Sequence, residues 1–286
     1  MSGTKLPIFD KKENRVFRPS FNRSLRVEAG KERLTSDAGV VLMRELIDHL
    51  GIVDWMADRM CDPRHSGYTR HQFKELLYTE FLLRCQHLND QDDADRLRND
   101  PALRLAVSQR KGDAPLRSGG GRVPDGLPSQ PTLSRFQDSL TIPRNFIFLQ
   151  DSIAELSFRR WSAAYQSSLP FTSLALDVDG LPIEVFGSQP GAEYNGYYRR
   201  CCYQALLIGS AQTNDFFGGD LCPGNVYPAS RSRPLIRETI RLLKARYPGL
   251  AIRLRMDAAF PDGASLDEWE ASEYFYTARL KGYSPL

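Results

Sequence analysis

The chain changes its hydrophobic period near the middle. Up to about residue 165, apolar residues recur three and four apart, the spacing that lines one face of a helix. "LTSDAGVVLMRELIDHLG" puts Val40, Met43, Ile47 and Leu50 on such a face, with Ser36 or Asp37 as a natural N-cap and Gly51 as a C-terminal stop. "HQFKELLYTEFLLRCQHL" repeats the pattern through Phe73, Leu76, Leu77, Phe81 and Leu83, and "DPALRLAV" predicts a short third helix. The Gly, Pro and charge content of "RKGDAPLRSGGGRVPDGLPS" then marks a loop. Its Gly119-Gly120-Gly121 follows no strand and lacks the Lys-Ser/Thr of a phosphate-binding loop, so a flexible connection is the better reading. "SQPTLSRFQD" resumes helix, with Ser129 as cap and Pro131 in the first turn. "FIFLQDSIAELSFRRWSAAY" closes the helical half.

Beyond that point the pattern turns strand-like. "FTSLALDVDG" reads as a buried strand ending in acids, "PIEVFG" as a second and "CYQALLIGS" as a third, with "DFFGGDLCPG" continuing the extended stretch. Ser230 to Tyr247 reads as one helix with Leu235, Ile236, Ile240, Leu242 and Leu243 as its apolar members, stopped by Pro248-Gly249. "LAIRLRMD" is a strand, "GASLDEWEAS" a short helix and "EYFYTARLKG" a last strand. The order β-β-β-α-β-α-β predicts an α/β fold, a mixed sheet with flanking helices, behind a mostly helical N-terminal region. The expected segments are a basic arm over 1–35, a helical domain over 36–165 and a sheet domain over 166–286.

Composition narrows the function classes. With 286 residues, 41% hydrophobic and 26% charged, the chain has enough apolar content for a packed core in one large domain or two ordinary ones. No apolar run approaches the roughly 20 residues that span a membrane, and the first residues lack the apolar core of a signal peptide. No membrane partner and a cytoplasmic location are expected. The five cysteines have no regular spacing, and Cys61, His65, His71, Cys85 and His87 fit no zinc pattern. The net charge of +3 permits a nucleic-acid partner without demanding one. Its distribution is uneven. Lys5, Lys11, Lys12, Arg15, Arg18, Arg23, Arg26, Lys31 and Arg33 crowd the first 35 residues, and Arg231, Arg233, Arg237, Arg241, Lys244 and Arg246 form a second run. Each run has a bland reading as a solvated face.

Two places carry candidate chemistry. Side chains alternate along a strand, so Asp177 and Asp179 face the same side, and Asp257 ends a later strand. If the two strands are neighbours, the carboxylates meet at one edge of the sheet. Magnesium, a hard cation bound by carboxylates and substrate phosphate, would neutralise them. Two such ions about 3.5–4 Å apart serve phosphodiester cleavage. The competing reading is an ordinary turn or cap aspartate. The second place is the helix opening with Gln130, Thr132, Ser134 and Arg135. It has the short polar residues and arginine of a helix that reads DNA base edges, or it is a capped structural helix.

The stretches "LTSDAGVVLMREL", "NDPALRLA", "SQPTLSRF", "LDVDG", "YNGYY", "PGNVYPAS", "RMDAAF" and "ARLKG" resemble, in this order and from about Leu34 onward, the DDE-type transposases of bacterial insertion sequences, specifically transposase DDE domain group 1. The resemblance implies an RNase H-like core, whose first aspartate lies on the first strand and whose second lies just after the fourth. By motif these are Asp179, with Asp177 as the fallback, and Asp257. It further implies two Mg²⁺ or Mn²⁺ ions, double-stranded DNA at element ends and target, and a homodimer. Tyr197 and Tyr198 of "YNGYY" become candidates for DNA contact or base stacking, or for aromatic packing. Arg253 and Arg255 either touch phosphates or are simply exposed. Two features depart from the family. Ala258-Ala259 stands where members commonly read Ser-Gly. The third acid of the triad, a Glu or Asp on a helix after the fifth strand, is expected beyond Leu286, because Glu268, Glu270 and Glu273 precede that strand. The expectation is thus a truncated transposase that holds metal weakly and carries out little or no strand transfer alone. The alternative is an inactive remnant that still binds DNA, and a nuclease outside transposition ranks last.

Overall fold

The computed structural model describes residues 16–28, 37–109, 126–166, 168–272 and 274–279. The triple glycine therefore lies outside the described residues, as do Ser36 and most of the basic arm. The chain divides into two compact units, Met1–Leu149 and Gln150–Leu286. The division falls inside helix α7 (Pro143–Tyr165) rather than at residue 165, because Ala154, Phe158 and Trp161 already belong to the sheet unit's core.

The first unit is helical: α1 (Val40–Leu50), α2 (Ile52–Arg59), α3 (Phe73–Cys85), α4 (Asp92–Arg96), α5 (Pro101–Val107) and α6 (Gln130–Leu140) precede α7. Helix α2 has no counterpart in the pattern reading. Gly51 does stop α1 in the left-handed conformation (φ 64°), and the chain turns there directly into the next helix. The buried side of α1 is Val40, Val41, Arg44 and Ile47, while Met43 is exposed. Arg44 displaces the expected stripe because all its needs are met inside. It donates to Asp48 at 2.8 Å and to the carbonyls of Ala106 and Ser108, and its guanidinium lies 3.6 Å from the Tyr78 ring centroid. The N-cap of α1 is Gly39, not Asp37. Part of the presumed arm is structured: β1 (Val16–Phe17) and β2 (Val27–Glu28) pair antiparallel, and the Ser20 N–H donates to Glu45 on α1.

The second unit is built on one sheet. Its strands are β3 (Ser173–Glu184), β4 (Glu193–Asn195), β5 (Arg200–Ser210), β6 (Asp215–Pro223), β7 (Ala251–Met256) and β8 (Phe275–Ala278), with helices α8 (Pro228–Arg246) and α9 (Gly263–Ala271). Strand β3 is central. It pairs antiparallel with β5, which carries β6 and the short β4 on its other edge, and parallel with β7, which pairs parallel with β8. Counting the five long strands in chain order, the sheet runs 3-2-1-4-5, a mixed sheet of the RNase H-like kind.

"LALDVDG" and "PIEVFG" are therefore one strand, not two. Gly180, inside that strand, is a point of close approach. A Cβ on Gly180 would lie 2.6 Å from the Gln204 side-chain nitrogen. The residues of β3 that face the core are Leu174, Leu176 and Val178. They pack with Ile236, Ile240 and Leu243 of α8, Trp269 of α9 and Trp161 of α7. The opposite face is open among the described residues, with Leu181, Ile183, Phe216, Leu221 and Phe275 all exposed.

Trp161 also donates its indole N–H to Asp215 at 2.7 Å, beside the Arg160–Asp215 ion pair at 2.6 Å. Burial pushes the Asp215 carboxyl up, but these hydrogen bonds outweigh it and hold the group below its ordinary value. A depressed carboxylate stabilises the fold fully above its unfolded pKa, about 3.9, and that contribution is lost as pH falls through the lower, folded value. Asp215→Asn is expected to flatten the acid limb of stability, measured by thermal melts below about pH 5.

Candidate active site

Asp179 is on β3 and Asp257 follows β7 directly. The parallel ladder pairs Asp177 with Arg255 and Val178 with Met256, so Asp179 and Asp257 stand one step further along the same two strands. Adjacent strands are about 4.8 Å apart, which brings the two acids to one edge, on the open face. Both are exposed. Each has one oxygen fixed by the backbone: Asp179 Oδ1 accepts from the Gly180 N–H at 2.7 Å, and Asp257 Oδ1 from the Ala259 N–H at 2.8 Å. Among the described residues no cation pairs with either acid, and the second oxygen of each stays open. The Asp257–Ala259 bond makes a tight turn, after which Phe260 is driven into the core at 1% exposure.

Asp177 shares this face but differs in its surroundings. Its Oδ1 accepts from Arg255 Nε at 2.5 Å and its Oδ2 from the Ala211 N–H at 3.1 Å. Its charge is matched and both oxygens are engaged. The donor set suited to a hard divalent cation is the other pair, two open carboxylate oxygens on rigid neighbouring strands. No cluster of three or more acids, histidines or cysteines stands ready for a metal among the described residues.

"YNGYY" closes the turn between β4 and β5. Asn195 Oδ1 accepts from the N–H groups of both Tyr197 and Tyr198, and its Nδ2 donates to the Gly224 carbonyl at 2.6 Å. Two motifs well apart in sequence, "YNGYY" and "PGN", are thus joined by one amide. Burial raises the Tyr198 phenol above its ordinary value, with further rise from the negative charges around it, Asp257 and Asp179 among them. Tyr197 is 87% exposed and sits edge-on to Tyr198 at 5.0 Å. At Gly224 a Cβ would meet the carbonyl oxygens of Cys202 at 2.5 Å and Glu193 at 2.6 Å. Gly224→Ala is expected to cost about 1–3 kcal/mol, the usual range for overpacking. It should also speed hydrogen exchange at the Tyr197 and Tyr198 amides, seen by NMR or mass spectrometry.

The helix α6 residues are differently placed. Gln130 Nε2 donates to Ser134 Oγ at 3.1 Å, Ser134 donates to Gln91, and the Thr132 and Ser129 hydroxyls lie 3.0 Å apart. Ser129 is the N-cap residue, but its hydroxyl caps no backbone N–H. The Gln130 N–H is taken by the Asp95 carboxylate at 3.2 Å, an acid where a DNA phosphate would otherwise approach. Arg135 is the exposed member of the four. The second basic run is mostly neutralised. Arg231 pairs with Asp220, Arg233 with Asp262, Arg237 with Glu268 and Arg241 with Glu238, and Lys244 donates to the Leu250 carbonyl. Sequence charge could not show this, because three of those acids come from β6, α9 and the turn before α9.

A mixed sheet in 3-2-1-4-5 order, with one acid on its first long strand and another just after its fourth, defines an RNase H-like unit. The chain belongs to the transposase DDE domain group 1 family, which it matches over residues 17–286. No curated protein matches it. Among solved structures it is similar to the piggyBac transposase in its synaptic complex with hairpin DNA, at 12% identity and a TM-score of 0.33, over 84% of this chain and 50% of that one. The Mos1 transposase paired-end complex with the left transposon end follows at 13% and 0.26, over 76% of this chain and 61% of that one. The Mos1 mariner paired-end complex with Mn is similar at 12% and 0.27, over 86% and 68%. The chain thus spans half to two thirds of these proteins, and the likenesses are too distant to assign residues or partners. No described helix is long and apolar enough to cross a membrane.

Proposed function

We propose that the chain is the transposase of an insertion sequence and cuts double-stranded DNA with Asp179 and Asp257 as its metal-holding acids. One observation carries the reading: two exposed carboxylates on neighbouring strand ends, each with an oxygen open and no cation paired with it among the described residues, while the adjacent Asp177 is neutralised. Asp179 is the better first acid, since Asp177 is already matched by Arg255. Mg²⁺ or Mn²⁺ bound there, as a pair in a complete site, would activate water and then a 3′-hydroxyl for cleavage and strand transfer. The strands hold the acids rigidly at the required edge, and the Asn195-anchored turn sets Tyr198 beside them. Tyr197, exposed, offers a stacking surface to an unpaired base, and Arg135 offers a phosphate contact from the helical unit. A homodimer acting on paired element ends is the working assembly the family implies. The family's third acid is not assigned among the described residues.

The test is nicking of supercoiled plasmid by the purified chain with Mg²⁺ or Mn²⁺. Metal-dependent nicking supports the enzyme. Salt-sensitive DNA binding with no nicking in either metal favours the alternative, a DNA-binding protein that does not cut.

A further inference from the structure

We infer that Arg253 and Arg255 form a phosphate-binding track on the open face of the sheet, leading along β7 to the Asp179–Asp257 pair, with Asp177 as the residue that positions Arg255. The inference rests on the reading that this acid pair acts on DNA.

Alternate residues of a strand share a face and lie about 6.6 Å apart along it. Arg253, Arg255 and Asp257 are therefore a row of two cations and an acid on the face where Asp177 and Asp179 also stand. Most of the cations on α8 are answered by an acid or a carbonyl. On β7 one arginine has no acid among the described residues and the other gives its acid a single nitrogen. Arg253 is exposed and has no acidic partner among the described residues. Arg255 gives only its Nε to Asp177, so among the described residues both terminal nitrogens of the guanidinium have no partner, and its side chain is 62% exposed.

That geometry suits a polyanion. A guanidinium fixed through Nε keeps its two terminal amino groups free as a planar fork, the shape that binds phosphate oxygens. Asp177 is itself fixed, since the Ala211 N–H holds its second oxygen, so it can aim the fork without swinging. An exposed ion pair adds little to stability, about 0–1 kcal/mol. Fold maintenance is therefore a weak reason for building one here. A DNA strand drawn toward two carboxylates also needs nearby positive charge, and these two arginines supply it on the right face.

The experiment compares the full-length wild type with Arg253→Ala, Arg255→Ala, Arg255→Lys, Asp177→Asn and Asp257→Asn. Binding to a fluorescein-labelled duplex is followed by anisotropy across a salt series, and Mn²⁺ binding by electron paramagnetic resonance. Circular dichroism melts confirm that each variant is folded. Each Arg→Ala change should make the slope of log K against log salt shallower by about 0.9, the value of one lost phosphate contact, and Arg255→Lys should restore it. Asp177→Asn should leave Mn²⁺ affinity at the wild-type level while Asp257→Asn lowers it. Unchanged slopes in both Arg→Ala variants would overturn the track. A loss of Mn²⁺ affinity in Asp177→Asn matching that in Asp257→Asn would overturn its positioning role and make it a ligand. Wild-type Mn²⁺ affinity in Asp257→Asn, with the slopes changed as expected, would sink the acid-pair reading and leave the track standing.

Discussion

Asp257→Asn should remove metal-dependent nicking of supercoiled DNA, and Asp179→Asn should do the same. The substitution keeps the shape of the side chain. Its amide oxygen can still accept the Ala259 N–H, so the turn and the burial of Phe260 are preserved. What is lost is the negative charge and the open oxygen that would meet the cation. Losing an outer-shell partner of a metal typically costs 10–100-fold in affinity or activity. Losing one of the two acids proposed to hold the ion directly should exceed that, leaving less than roughly one per cent of wild-type activity. Asp177→Asn is the informative contrast, because Asp177 sits on the same strand and face yet is already matched by Arg255. Its nicking rate should fall less than that of either Asn variant at the pair. Gel quantification of nicked plasmid under matched Mg²⁺ and Mn²⁺ conditions decides this. Robust nicking by Asp257→Asn would remove the site assignment.

Trp161→Ala should be the most destabilising single change in the sheet unit. Trp161 is fully buried, and its ring makes edge or tilted contacts with Phe158, Phe171, Phe217 and Tyr247. Truncating such a residue leaves a cavity and typically costs about 3–5 kcal/mol. It also takes away the indole N–H that Asp215 accepts. At roughly 2–4 °C per kcal/mol for a domain of somewhat larger size, the melting temperature should drop by on the order of 10 °C or more. Trp161→Phe keeps most of the packing and loses the N–H, so its cost should be nearer 1–3 kcal/mol. Urea titrations followed by near-ultraviolet circular dichroism separate the two. Equal stability of Trp161→Ala and wild type would mean that the core closes around other residues.

The two halves of the chain were legible in the sequence to different degrees. In the helical half, the 3.6-residue period located α1, α3, α5, α6 and α7, because helix hydrogen bonds are local and the apolar stripe reports them directly. Helix α2 was missed because Gly51 serves as the end of one helix and the start of the next. Arg44 broke the expected stripe because carbonyls from residues 106 and 108, more than sixty positions away, satisfy it.

In the sheet half, the alternation of side chains put Asp177 and Asp179 on one face, and the apolar run before Asp257 marked a strand end. Those facts are local. Whether the strands are neighbours, and in which register, depends on pairings between residues 173–178 and 251–256 that no local pattern encodes. The same register sets the surroundings of the acids. It sets Arg255 opposite Asp177, where it neutralises that acid, and leaves Asp179 beside Asp257 with oxygens to spare. Sequence also showed the charge of α8 but not its neutralisation, since most of the answering acids come from other elements. The chain by itself thus determined which residue types lie on which face of each element. Tertiary pairing alone decided which charges cancel and which remain to bind, because electrostatic partnership depends on distance in space and not on separation along the chain.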